Sequence, residues 1–522
     1  MTYLQDPRFG KIVDFDRLRG EIKAIYDHIH PEFNLLGVVH TLSRLSSDIP
    51  SESIALGAST LAYSLLVAAD EPELAAQHKD KLFTLGWTEE HCGSDLLSVR
   101  TSATPIGDPA ERMYHVSGRK WLINNSYHGD FHVVVAKIDP TKNGPRSLSL
   151  FLVPRSSTSE WQRLETHVLD KMVLTAFDID GPGRLLGKPG HGLQIVQRMA
   201  NISRSQCTYT GVAMVREAIP ATIEHLAGKH IFGQHPIQFS NVFRQLYQIV
   251  LRAAFYEWQL YRNVALGAES PFLQFYGTQL KSWLLLRINE LLGHNLLVAG
   301  SKGFLAESVI GRDAIDSFVL PVFDGHYTIN TLMTDKHASR YLEADEPAAL
   351  EDRLGTLHRD AFIERIHNEI HADMRALRRP PFFDWADYLR ALDLPLDLPA
   401  EALVAGARAL LDELAQSDQR REAEYKFKIG DLIHWMESIL AAAELWRVTQ
   451  EDAYLDTVVL QWNGTVETFN RIVSEGDLAT AFQQPIHQRP LSLPEDPRAW
   501  LLDLLDVRGK IPRPTPETSM TA

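Results

Sequence analysis

The hydrophobic periodicity of this chain changes twice, and that change restricts the fold more than any bulk property. Over Ile54–Ala69 the apolar residues recur at helical spacing, with Ile54, Leu61 and Leu65 in register and Leu66 beside them. From Phe83 to about Leu186 the texture is that of strands. Tyr114–Ser117, Trp121–Ile123, His132–Ala136 and Leu148–Val153 alternate or run apolar, separated by turn formers such as Gly107-Asp-Pro and Lys142-Asn-Gly-Pro. From Gly192 to Leu342 the helical period returns, most clearly in Val242–Val264 and Gln279–Val298. A β domain enclosed by helical parts is a mixed, mainly α architecture.

At 522 residues the chain exceeds one simple core, and its breaks suggest five segments. These are a short helical part (1–82), the middle β domain (83–190), a helical bundle (191–345), a further helical extension (346–484) and a proline-rich, disordered tail (485–522). Pro380-Pro381-Phe382-Phe383 interrupts the extension, and Pro512–Ser519 is the most proline-rich part of the tail. A net charge of −15 disfavours nucleic acid and acidic membranes as general partners. The basic run Arg375–Arg379 reads as a solvated face. With only Cys92 and Cys207, no disulfide framework or cysteine-rich zinc site is readable, and His225, His230 and His235 lack metal spacing. No signal-peptide layout and no spanning apolar run is present, so the expectation is a cytoplasmic protein with no metal and no membrane contact.

One carboxylate stands apart. Asp324 ends the apolar stretch Phe318-Val319-Leu320-Pro321-Val322-Phe323 and is followed by Gly325 and His326. A core segment rarely carries an acid, because an unpaired buried charge is costly. A buried acid of raised pKa is what proton abstraction from carbon requires near neutral pH. The alternative is that Asp-Gly is simply a turn.

The remaining motifs decide between these. In order along the chain they are Trp87-Thr88-Glu89-Glu90-His91-Cys92-Gly93-Ser94-Asp95, Gly118-Arg-Lys120-Trp-Leu122-Ile-Asn124-Asn125 and Leu186-Gly-Lys-Pro-Gly-His-Gly192. Ile231-Phe232-Gly233, Gly300-Ser-Lys-Gly303-Phe304, Gly311-Arg312-Asp313 and Phe323-Asp324-Gly325 follow. Over about residues 60–345 this succession resembles the acyl-CoA dehydrogenase superfamily. The resemblance implies that family's fold: a shortened N-terminal helical domain, a β-barrel-like middle domain and a C-terminal four-helix bundle, here with an extra extension. It implies FAD as cofactor, with Trp87, Thr88, Ser94, Leu122, Asn124, Lys229, Phe232, Gly300 and Gly325 at cofactor-binding positions. A reduced flavin ring needs hydroxyl and amide donors around it, which suits these residue types. Asp324 falls on the catalytic base, which removes the α-proton of a thioester while the β-hydride goes to the flavin. Arg312 and Asp313 match a structural pair.

Departures from the family pattern are also legible. Its usual glutamate is aspartate here, as in nitroalkane oxidase, which sets the carboxylate back by one methylene. Lys229 replaces an arginine that reaches a neighbouring subunit's FAD, keeping the charge and losing the fork. Leu297 replaces a glutamine on the adenosine side. The shortened N-terminal part would open the acyl pocket, and the extension would replace that wall or bind a partner. The implied partners are an acyl thioester on CoA or a carrier protein and an electron acceptor, either electron-transfer flavoprotein or O2, in a homodimer or homotetramer. Two alternatives keep the fold: a nitroalkane-oxidase-like oxidase or flavin monooxygenase, and a non-enzymatic or nucleic-acid-binding scaffold resembling the alkylation-response branch. Net acidity argues against the last.

Overall fold

The computed structural model describes residues 20, 23–27, 29, 50–169, 172–267, 273–343, 384–416, 423–475, 486 and 490–511. The run Arg375–Arg379, the break Pro380–Phe383 and the tail end Pro512–Ser519 lie outside these. Described residues up to Ala213 belong to one compact unit and those from Met214 onward to a second. Among the described residues, no helix is long and apolar enough to cross a membrane.

The first unit is built on seven strands: β1 (Phe83–Gly86), β2 (Ser102–Pro105), β3 (Met113–Asn124), β4 (Phe131–Lys137), β5 (Leu148–Pro154), β6 (Thr158–Leu164) and β7 (Leu174–Leu186). The order β1-β4-β2-β3-β7-β5, with a further β4–β5 pairing, closes five of them into a ring, while β1 and β6 attach outside it. That closure is the barrel-like middle domain expected from the sequence. It leaves few strand edges exposed. Inward-facing Val116, Val134, Phe151, Val153, Phe177 and Ile179 fill the ring; burying each such side chain contributes about 1.5–3 kcal/mol. Helix α1 (Pro50–Ala68) packs on β1, and the Ser59 hydroxyl donates to the Phe83 carbonyl at 2.8 Å.

Helix α2 (Gly192–Gly228) begins in the first unit and ends in the second. The second unit continues through α3 (Ser240–Gly267), α4 (Leu273–Gln279), a π-helical turn at Leu280–Leu284, α5 (Leu285–Ala299), α6 (Val309–Asp316) and α7 (Tyr327–Glu343). Helices α8 (Trp385–Ala391), α9 (Ala400–Gln416), α10 (Ala423–Thr449) and α11 (Leu455–Glu475) come from the segment read as an extension. They are part of the same core. The Trp258 indole donates to the Ala441 carbonyl at 2.7 Å, and the Gln279 amide to the His434 carbonyl at 2.9 Å. Gly430 of α10 lies so close to α7 that a Cβ there would sit 2.3 Å from the Thr331 carbonyl oxygen.

Arg262 of α3 is fully buried and joins this interior. Its guanidinium pairs with Glu444 at 2.5 Å and Glu437 at 2.6 Å, while the Tyr388 and Tyr341 hydroxyls donate to the same two carboxylates at 2.7 Å each.

The tail reading is corrected in part. Pro497–Leu505 (α12) and Val507–Lys510 (α13) are helical rather than disordered. Leu501, Leu504, Val507 and Ile511 are buried, Trp500 stacks on Tyr247 at 5.5 Å, and the Tyr454 hydroxyl donates to the Leu504 carbonyl. Prolines before Pro497 and after Ile511 hid a short amphipathic segment with an apolar face to bury.

Candidate active site

Trp87, Thr88, Ser94, Leu122 and Asn124 lie in the first unit, and Lys229, Phe232, Gly300, Asp324 and Gly325 in the second.

In the first unit the Trp87-Thr88-Glu89 element leaves the end of β1 and is tied to β3. The Thr88 hydroxyl donates to the Trp121 carbonyl, and the Trp121 N–H returns a bond to the Thr88 carbonyl at 3.0 Å. At this point β3 carries a bulge, its register with β7 shifting between Lys120 and Ile123. Leu122 takes φ +57° and is exposed. Beneath the element, Glu89 accepts from Lys120 Nζ at 2.9 Å, Thr101 Oγ1 at 2.6 Å and Arg100 N at 2.8 Å. Burial pushes the Glu89 carboxyl up, but the Lys120 ammonium and these donors outweigh it and leave its pKa at about 2. Glu89, His91 and Cys92 bring potential metal-ligand atoms within 4.8 Å of one another, yet the Glu89 oxygens are already committed to the fold.

Several polar atoms near the bulge are buried without a hydrogen bond among the described residues: Trp87 Nε1, Asn124 Oδ1, and both side-chain ends of Asn125. Asn124 spends only its amide nitrogen, on the Ile54 carbonyl at 3.4 Å. Buried polar groups are almost always paired, so this grouping suits a polar ligand. Ser94 is exposed, and a Cβ on its neighbour Gly93 would meet open space.

In the second unit Lys229 follows the end of α2, and Ile231 and Gln234 bridge to form a tight turn. Phe232 at its tip has φ +49° and is 95% exposed. Gly300 caps α5 at φ +72° with open space where a Cβ would lie.

Asp324 occupies the turn between Leu320 and α7, with φ +54°, followed by Gly325 at +94°. Aspartate is among the few residues that tolerate this left-handed region, and such outliers concentrate at functional sites. From the C-terminal side the turn is held by Tyr327 N–H to the Pro321 carbonyl at 2.8 Å and by Asn330 Nδ2 to the Gly325 carbonyl at 2.9 Å. From the other side Lys281, in the π-helical turn, donates to the Leu320 carbonyl. The reading of Phe318–Phe323 as a core segment is corrected. Phe318 is 60% and Val322 48% exposed, while only Leu320 and Pro321 are buried. Asp324 itself is half-buried. Sequence reading missed Lys281 and Asn330. A signal for the first was present, since a single cation interrupts the run Leu280-Lys-Ser-Trp-Leu-Leu-Leu.

Arg312 and Asp313 form part of a separate cluster in which only Asp313 is buried, with the Arg312 guanidinium between Asp313 at 3.0 Å and Glu217 at 2.9 Å. Burial pushes the Asp313 carboxyl up to about 7 although Arg312 opposes this, and its Oδ2 has no hydrogen bond among the described residues. A raised acid keeps its proton in the native state after the unfolded chain has lost it. Its contribution therefore falls as pH rises from about 4 to about 7, by up to about 4 kcal/mol. Asp313→Asn should flatten this dependence, losing less thermal stability than wild type between pH 5 and pH 8. Parallel melting curves of the two proteins check it.

Comparison with known proteins places these elements. Residues 84–175 match the model of the acyl-CoA dehydrogenase middle domain. The Escherichia coli (strain K12) protein AidB is 25% identical over 342 residues, which are 63% of this chain and 57% of AidB. Residues 84–175 thus carry an acyl-CoA dehydrogenase middle domain, and the wider chain is similar to acyl-CoA dehydrogenases. It spans little more than half the length of the first curated relatives it matches. Among solved structures, a Bacillus anthracis acyl-CoA dehydrogenase complexed with FAD superposes with a TM-score of 0.71 at 17% identity, covering 94% of this chain and 90% of that one. The prolyl acyl carrier protein oxidase AnaB gives 0.56 at 18% identity, covering 62% and 90%. The fold likeness to the first structure thus extends over most of this chain, including the helices read from sequence as an addition.

Proposed function

We propose that this chain is a member of the acyl-CoA dehydrogenase superfamily, an FAD-dependent dehydrogenase that introduces an α,β double bond into an acyl thioester. The observation that carries the reading is the Asp324 turn, a carboxylate on left-handed backbone at the family's base position, clamped from both sides. Asp324 takes the α-proton, and its own backbone N–H is the position expected to hold the thioester carbonyl, which acidifies the α-carbon. FAD, when bound, supplies the acceptor for the hydride that leaves the β-carbon. Trp87, Thr88, Ser94, Leu122, Asn124, Lys229, Phe232, Gly300 and Gly325 are the positions expected to bind it. The orphaned polar atoms of Trp87, Asn124 and Asn125 fit such a ligand. AnaB, by its name, acts on a carrier-protein-bound prolyl group, and that precedent on the same fold favours testing carrier-tethered thioesters beside CoA esters.

A second reading, a nitroalkane-oxidase-like enzyme, is favoured only by aspartate in place of glutamate. Electron-transfer flavoprotein or O2 would take the electrons. A homodimer or homotetramer is supported by the large apolar side chains left exposed in the second unit, Phe232, Leu297 (71%), Phe304 (66%) and Phe318.

The cofactor is tested first. Protein equilibrated with micromolar FAD and gel-filtered should show a visible flavin band, release FAD on heating, and scatter light as a dimer or tetramer. With Lys229 and Leu297 at weakened positions, part of the flavin should be lost during purification. No bound flavin after reconstitution removes the redox reading; a monomer removes the oligomer.

A further inference from the structure

Lys281 has no accessible surface. It lies in the π-helical turn Leu280–Leu284, where α-helical geometry gains one residue, a device common at functional sites. Its ammonium donates to the Leu320 carbonyl and stands 4.7 Å from the centroid of the Phe323 ring. Among the described residues no carboxylate pairs with it. Burying an ammonium is expensive unless other groups replace its hydration; here a carbonyl dipole and a π face do so. Both belong to the four residues that lead into Asp324.

The surroundings fix the lysine in turn. Before it, Gln279 is bonded to Asn263 at 2.8 Å and to the His434 carbonyl. After it, the Ser282 hydroxyl donates to the Thr278 carbonyl at 2.6 Å. His434 bonds Thr334 of α7 at 2.9 Å, so α10 braces the helices on either side of the turn. On the other flank Asn330 holds Gly325. The left-handed backbone at Asp324 and Gly325 is therefore pinned between a buried cation and an amide on α7.

We propose that Lys281 is a positioning residue for Asp324, fixing the turn through the Leu320 carbonyl and the Phe323 ring so that the carboxylate is held where the α-proton is removed. The proposal rests on the reading of Asp324 as the base. It does not require Lys281 to touch substrate or flavin.

The test uses the full-length protein reconstituted with FAD, comparing wild type with Lys281→Met, which keeps the chain length and removes the charge and donors. Amide hydrogen exchange in peptides covering 320–326 should accelerate at least about tenfold, with peptides of β4 unchanged and flavin content retained. In anaerobic mixing with a thioester that reduces wild type, the limiting reduction rate should fall about 10–100-fold, while the half-saturating thioester concentration stays within about twofold. Lys281→Arg should recover part of the rate. Exchange and rate both unchanged overturn the proposal, as does acceleration spread through α3, α4 and α7, which marks a lysine that only supports the core. Should Lys281→Met not fold, Phe323→Leu decides: local acceleration and a severalfold slower reduction support the role, and wild-type behaviour overturns it. If no thioester reduces even the wild-type flavin, the proposed activity fails, and the exchange measurement still judges Lys281.

Discussion

Asp324→Asn should slow reduction of bound flavin by an acyl thioester by about 10²–10⁴-fold, the range a positioned general base contributes. Asparagine shares the tolerance of aspartate for left-handed backbone, so φ +54° can be kept. The contacts that hold the turn come from Lys281, Tyr327 and Asn330 rather than from the Asp324 side chain alone. Fold and flavin content should therefore survive, leaving the loss in the chemical step. Asp324→Glu extends the carboxylate by one methylene and retains activity if the pocket can absorb it. Stopped-flow absorbance under anaerobic conditions separates these outcomes. An Asp324→Asn protein that reduces its flavin at the wild-type rate would remove Asp324 from the reaction.

Arg262→Met should be the most damaging single change to stability, costing about 3–5 kcal/mol, because it leaves two buried carboxylates without their cation. Glu437 and Glu444 are fully buried, and with Arg262 gone the neutral hydroxyls of Tyr341 and Tyr388 remain beside them. At least one glutamate would then bind a proton in the native state that it does not bind unfolded, so the deficit should narrow as pH is lowered from 8 to 5. Denaturant titrations at both pH values check it. A loss under about 1 kcal/mol would mean that the cluster relaxes or hydrates. Since Arg262 joins α3 to α10, this variant also measures how far the C-terminal helices support the rest of the second unit.

The β domain was legible because its signals are local. Turn formers at Gly107-Asp-Pro and Lys142-Asn-Gly-Pro end strands whose alternation is set by the pleat, and the observed strands follow them. What was not legible depends on partners distant in sequence. Phe318–Phe323 reads as interior by composition, but its accessibility is fixed by how α5, α6 and the turn pack, and Phe318 and Val322 remain exposed. The π-helical turn at Leu280–Leu284 leaves no trace in spacing, because one extra residue in a helix shifts every later apolar position by only part of a turn. Trp500 became structured by stacking on Tyr247, about 250 positions away in sequence. At the site, residue types at matching spacing could be named from sequence. The left-handed backbone of Leu122, Phe232 and Asp324, and the buried cation under the last of them, required the fold.

The most direct measurement is an anaerobic titration of the flavin-loaded wild-type protein with a panel of acyl-CoA esters, acyl-carrier-protein thioesters and nitroalkanes, following loss of the visible flavin band. The account predicts bleaching by at least one thioester, with the matching α,β-unsaturated product formed in equal amount and both lost in Asp324→Asn. Bleaching by nitroalkanes alone, or a flavin band that no thioester diminishes, would contradict it.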